Sequence, residues 1–228
     1  MKYTKIPTDT FEKLQINAGF ITTEFDPATG EAAPYFATTG GITFVTNPEF
    51  SDFGEDVDNC PKNTKELKRL ISVSPVLSGT AVSVDSEVCK RLMGAATLTQ
   101  GEAGIGTANE RLVPSLELDP ETDFADIWLI ADYSNINGEE TGKGIAVHLM
   151  NALNTAGFQW TTTDRGKGNF AFEFTGHVSI EAQTVLPYEV YLLGTYESGN
   201  SDANSDTPNP NVVAPSNTRT RAKATDNE

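Results

Sequence analysis

Between residues 168 and 177 the chain reads GNFAFEFTGH, with Phe170, Phe172 and Phe174 on alternate positions and Ala171, Glu173 and Thr175 between them. Side chains of a strand point alternately to opposite faces, so this pattern predicts one aromatic face and one polar face. The preceding GFQWTTT, 157–163, alternates in the same way, and DRGKG between the two runs has the composition of a hairpin turn. Phe158 and Trp160 then join the phenylalanines on a core-facing underside. Gln159, Thr161 and Thr163 join Ala171, Glu173 and Thr175 on an upper side that must meet water or a partner.

The same reading predicts further strands at 15–24, 41–46, 71–84 (broken near Pro75), 126–133, 144–150 and 187–195, and continues the 168 strand to about 180. Short strands separated by Gly, Pro, Asn and Asp clusters predict a sandwich or barrel. Two short helices are expected. Asn63 or Thr64 would cap KELKRL over 63–70, and Asp85 would cap SEVCKRLMGA over 86–95. No fixed-period repeat is present. From Glu197 onward the composition lacks core-forming residues, which predicts a folded domain over 1–196 and a flexible tail over 197–228.

Charge narrows the field. Acidic residues outnumber basic ones 32 to 16, for a net charge of -16. The tail holds five acids and three bases, so -14 of that belongs to residues 1–196. Such a surface repels phosphates and argues against packaging or sequence-reading roles. It suits a wall that DNA slides past. The two cysteines, Cys60 and Cys89, are too few for a disulfide framework and read as reduced, partly buried thiols. The N-terminus has no apolar run of signal-peptide length, and no stretch approaches the roughly 18 apolar residues of a membrane span. Cytoplasmic synthesis without membrane insertion is the expectation.

Candidate chemistry is sparse. His148 and His177 have no zinc-ligand spacing, and His177 at a strand end reads as a structural histidine. Cys89 falls on a helix face turned to the core, and no G-x-S-x-G elbow or phosphate-binding loop occurs. GEAGIGTANE, 101–110, only approaches a dinucleotide fingerprint and reads as a flexible glycine loop. Neither acid cluster, Glu49 to Asp58 or Glu117 to Asp126, matches a calcium loop. Both read as solvated loops, with contact to a basic surface on another copy as the alternative. Lys62, Lys65 and Arg69 recur at helical spacing and would supply such a surface, with Lys90 and Arg91 nearby. No catalytic residue, metal ligand or cofactor site is expected.

The order of segments carries more than any one of them. VDNCPKNTKELKRL is followed by SGTAVSVDSEVCKRLMGAA, DFADIWLIADYSN, GKGIAVHLMNALNTAGFQWTTTDRGKGNFAFEFTGH and LPYEVYLL. This succession, over about residues 10 to 195, resembles the major tail (tail tube) proteins of long-tailed bacteriophages, especially those of Gram-positive hosts. The resemblance implies a β-sandwich or half-barrel with one or two short flanking helices and a long inter-ring loop. It implies rings of six copies stacked into a hollow tube in the virion, assembled in the host cytoplasm, through which double-stranded DNA passes without specific binding. Tape measure, tail terminator and distal tail proteins are the implied partners, and the family brings no catalytic residues or cofactors. We assign 46–62 to the inter-ring loop, with Phe50 and Phe53 as anchors. Asp52, Glu55, Asp56 and Asp58 would face Lys62, Lys65, Lys68 or Arg69 of a neighbour. The lumen is assigned to Gln159, Thr161, Thr163, Ala171, Glu173 and Thr175.

Three other readings stand beside this one. A monomeric β-sandwich module binding carbohydrate or protein would use Trp128 or Trp160. A carboxylate-pair hydrolase would use Asp126, Asp132 or Glu173, for which the sequence gives no specific pattern. The tube of a contractile tail-like injection device would share the fold.

Overall fold

The computed structural model describes residues 10, 14, 15, 17–54, 57–101, 110–134 and 140–194. The chain is mainly β. An eight-stranded antiparallel sheet runs in the order β1 (Phe20–Thr22), β6 (Ala125–Ser134), β7 (Glu140–Asn154), β9 (Asn169–Gly176), β3 (Lys68–Ala81) and β2 (Thr38–Asp52). β8 (Gln159–Thr161) pairs with β9, and β10 (Tyr188–Leu193) pairs with β7. A separate hairpin joins β4 (Ala96–Gln100) to β5 (Glu110–Pro114), and an α-helix, α1, spans Ser86–Met93.

Alternation works as the sequence predicts along β9. Phe172 and Phe174 are buried on one face with Leu77, Ile127, Leu149 and Ala152, and α1 covers that face through Val88 and Leu92. Gly79 lies opposite Phe172, and a Cβ there would stand 2.7 Å from the Phe172 ring, so only glycine lets that ring lie across β3. Asp85 caps α1 as expected, its Oδ1 accepting from the Val88 N–H at 2.8 Å, and Gly94 (φ 80) ends the helix. Asn154, buried at the end of β7, ties three elements together. Its Nδ2 donates to the carbonyls of Leu92 and Gly157, and its Oδ1 accepts from the Glu173 N–H.

The second face of the sheet is divided. Over β6 and β7, Trp128, Ile130 and Ala146 form a smaller core closed by Phe25 and Ala32 from the preceding segment and by Tyr191 of β10. Over β9, β3 and β2 no layer of described residues packs on it, and its side chains are exposed or half-buried.

Two expectations are corrected. Residues 63–70 form no helix: a turn at 64–67 leads into β3 at Lys68. An eight-residue helix with only Leu67 and Leu70 as an apolar stripe is marginal, whereas the strand extends a ladder pairing Lys68, Arg69 and Leu70 with Asp52, Ser51 and Phe50. β3 is also unbroken at Pro75, which pairs with Thr46. The missing N–H matters on the other side, where the ladder to β9 stops at Val76, one residue short of the proline. Residues 102–109 of the expected glycine loop lie outside the described residues, and Glu110 opens β5, which pairs with β4. The C-terminal stretch 197–228 lies outside the described residues.

Candidate assembly surfaces

Beyond Val76, β3 pairs with β2 alone, so past the buried Pro75 the strands Lys68–Ser74 and Asn47–Asp52 leave the body as a two-stranded arm. The assignment of 46–62 to a loop is therefore corrected in its first half: 46–52 is strand, and the turn begins at Phe53. A ladder whose two faces are both wet leaves no hydrophobic period in the sequence to betray it. The arm exposes Phe50 (54 %) and Phe53 (59 %), together with Leu70, Ile71 and Val57. Its tip is built by Asp52, whose Oδ1 accepts from the Gly54 N–H and Oδ2 from the Asn63 N–H, each at 3.0 Å. Gly54 packs so closely against Leu67 and Cys60 that a Cβ would collide with both.

The cations assigned to a helix face are on this same arm. The Lys68 ammonium lies 5.6 Å over the Phe50 ring and the Arg69 guanidinium 5.5 Å over Phe53. Lys65 pairs with Glu66 at 3.4 Å, Lys62 is exposed beside the tip, and Asp58 is exposed as well. Glu55 and Asp56 lie outside the described residues.

The uncovered sheet face holds the residues assigned to the lumen. Gln159 pairs with Ala171 and Thr161 with Asn169. Ala171, Glu173 and Thr175 pair across to Thr80, Ser78 and Val76 of β3, and Ser78 and Val76 pair on to Thr43 and Val45 of β2. Opposed residues share a face, so these form one surface of small and hydroxyl side chains, with Thr155 and Thr175 hydroxyls bonded at 2.9 Å. Between Glu49 and Thr161 that surface carries Glu49 and Glu173 but no lysine or arginine. Thr163 departs from the set: it lies past β8 in the turn, its carbonyl accepting from the Gly166 N–H. Trp160 departs from the core: it lies on the predicted face, its ring parallel to Phe170 at 5.9 Å, yet is 62 % exposed because the hairpin outruns the body.

The residues with conventional chemistry are engaged structurally. His177 Nδ1 stands 3.1 Å from the Asn151 carbonyl and its ring meets the edge of Phe124. His148 stacks on Trp128, ring centroids 3.9 Å apart, with Nε2 3.1 Å from Asp126 Oδ2, while Asp126 Oδ1 accepts from the Asn151 N–H. Asp126, Trp128 and His148 line an open depression of about 1030 Å³ with Phe25, Asp26 and Glu31, and no described residue lining it is a serine or cysteine. Trp128 is only 7 % exposed, so it offers no platform to a sugar. Asp132 lies further along β6 and Glu173 two strands away on β9, so the three acids of the hydrolase reading are not gathered. Asp119 and Asp123 turn inward on their own loop, accepting from the N–H groups of Glu121 and Asp119. Cys60 and Cys89 are free and half-buried, and burial, then Asp85, pushes the Cys89 thiol above its ordinary range. Among the described residues no cluster of three His, Cys, Asp or Glu has metal-ligand geometry, and no helix is long and apolar enough to cross a membrane.

No protein-family model matches this chain, and no curated protein matches it. Among solved structures, it aligns with a chain of the virion of a native gene transfer agent particle, at 12% identity and a TM-score of 0.36, covering 71% of this chain and 92% of that one. It aligns similarly with a chain of the tail of an empty gene transfer agent particle refined with C6 helical symmetry, at 11% identity and a TM-score of 0.37, with the same coverage.

Proposed function

We propose that this chain is a structural subunit of a virion tail tube, in which rings of six copies stack into a conduit for double-stranded DNA. The observation that carries the reading is the arm: a stiff ladder projecting from the body with its large apolar residues at the far end. Phe50, Phe53, Leu70 and Ile71 each keep about half their surface in water, so covering all four is worth roughly 3–6 kcal/mol. A second copy is the partner that gives every subunit the same cover. The outer edges of β2 and β10 pair with no other described strand, and ring closure joins such edges side by side.

In this reading the arm, from Phe50 through Asp52, Phe53 and Asp58 to Lys62, Lys65, Lys68 and Arg69, makes the inter-ring contact. Glu55 and Asp56 belong to it by sequence. The bare hydroxyl face lines the lumen, where the absence of cations between Glu49 and Thr161 keeps DNA from binding by counterion release. Tape measure, terminator and distal tail proteins would meet the column at its centre and ends.

Concentrating the protein at neutral pH, with light scattering and negative-stain imaging, tests the reading. Rings or hollow tubes are expected, and F50S/F53S should remain monomeric with an unchanged melting profile. A wild-type protein that stays monomeric even with a tail-tip complex would return the weight to a monomeric binding module, for which the exposed Trp160 would be the platform.

A further inference from the structure

The arm needs a receptor, and most of its own cations are engaged: Lys68 and Arg69 lie over the arm's own phenylalanines and Lys65 pairs with Glu66, which leaves Lys62 exposed beside the tip. By sequence, 52–58 holds four acids, Asp52, Glu55, Asp56 and Asp58, and no basic residue, so the tip stays acidic even with Lys62 beside it. Elsewhere on the chain, the turn at 162–168 between β8 and β9 has the opposite character. It carries Arg165 and Lys167 against Asp164, a local excess of one positive charge on a chain of net -16. Both cations are exposed, and neither has an ion pair or side-chain hydrogen bond among the described residues.

Two further observations single out this turn. Arg165 holds a left-handed backbone (φ 55), a conformation that favours Gly or Asn, so stability alone does not explain an arginine there. Beside it, Trp160 is 62 % exposed and Phe158 38 %, an aromatic shelf left uncovered where the hairpin outruns the core.

Register fixes where the two surfaces lie. β3 and β9 are neighbours, paired from Ala81–Phe170 to Val76–Thr175. The arm leaves this ladder past Val76, and the turn lies past Phe170 at the other end. The two surfaces thus project from opposite ends of the same pair of strands and cannot meet within one copy. A shift along the strands brings the arm of one copy onto the turn of the next, a heterologous contact that propagates.

We infer that the β8–β9 turn, through Arg165, Lys167 and the Trp160 shelf, receives the acidic, phenylalanine-bearing arm tip of the next copy. This rests on the tube reading above and adds to it the identity of the receptor. Opposite charge at the two ends also disfavours tip-to-tip and turn-to-turn encounters, which fixes polarity.

The test compares wild type, R165E/K167E and R165G by light scattering, with acrylamide quenching of tryptophan fluorescence before and after assembly. Trp128 is buried, so the quenchable signal belongs to Trp160. Assembly should protect Trp160, and R165E/K167E should raise the critical concentration roughly tenfold or more. R165G should melt no lower than wild type yet assemble less readily, which separates contact from folding. Mixing R165E/K167E with D56K/D58K should restore mixed polymers. Wild-type tubes in which Trp160 stays quenchable, or R165E/K167E tubes forming at the wild-type concentration, would overturn the receptor and leave the tube reading standing. A wild-type protein that never assembles would overturn both.

Discussion

Replacing Asn154 by Ala tests the joint that holds α1 against the sheet. Asn154 donates to the Leu92 carbonyl, an orphan acceptor at the end of α1, and to the Gly157 carbonyl at 3.0 Å, while accepting from the Glu173 N–H at 2.8 Å. Each such bond contributes about 1 kcal/mol net, so truncation should cost about 3 kcal/mol. The Gly157 and Glu173 bonds are only part-buried, so water can recover some of their loss, whereas the Leu92 carbonyl is buried and stays unpaired. For a domain of this size that destabilisation corresponds to a melting shift of roughly 6–12 °C. Urea and thermal unfolding of dilute monomer, followed by circular dichroism, measure it. N154D sharpens the test, because it keeps the acceptor but sets a carboxylate against two carbonyls and should cost more than Ala at neutral pH. A loss below about 1 kcal/mol for N154A, or an Asp variant as stable as wild type, would refute the account.

Other outcomes follow from the same structure. G79A places a methyl 2.7 Å from the Phe172 ring and should cost about 1–3 kcal/mol, read as a lowered urea midpoint with unchanged slope. Burial, opposed by the charge of Arg91, raises the Tyr35 hydroxyl above its ordinary value of 10. Its contribution is therefore fully present below pH 10 and lost as pH rises through the higher folded value, and Tyr35→Phe should flatten the alkaline fall in melting temperature. The wild-type protein should not retain duplex DNA on a gel. The triple variant T43K/S78K/E173K should retain it, with a log–log salt slope of roughly -3 if the three new cations each reach a phosphate.

The sequence was legible where one face of a strand is buried and the other wet. Phe170, Phe172 and Phe174 announce β9, and Asp85 announces α1, because burial and capping leave residue types at fixed spacings. The arm was misread for the converse reason. Phe50, Asp52, Lys68 and Leu70 have no core to face, so no period of two survives, and lysines three and four apart mimic a helix. β4 and β5 escaped notice because, of their ten residues, only Ala96 is buried. Trp160 obeyed its predicted face but not its predicted burial, since alternation fixes direction and only the extent of the covering layer fixes depth. The grouping of the hydroxyl face was readable on β8 and β9. Its continuation over Ser78 and Thr43 needed the register between distant strands, which local pattern does not contain.

Pro75 has a mechanical meaning. By ending the ladder to β9 while itself buried at the root, it leaves seven residues of β3, Lys68 to Ser74, held at one end, a lever of about 24 Å. A rotation of about 10° at that root moves the tip by about 4 Å, while the ladder within the lever keeps all its bonds. In the stacked column proposed above, bending would be spread as small rotations over many roots, each returning to rest when the load is removed. Compliance would reside at a residue that cannot donate a hydrogen bond, and strength in the contacts at the far end.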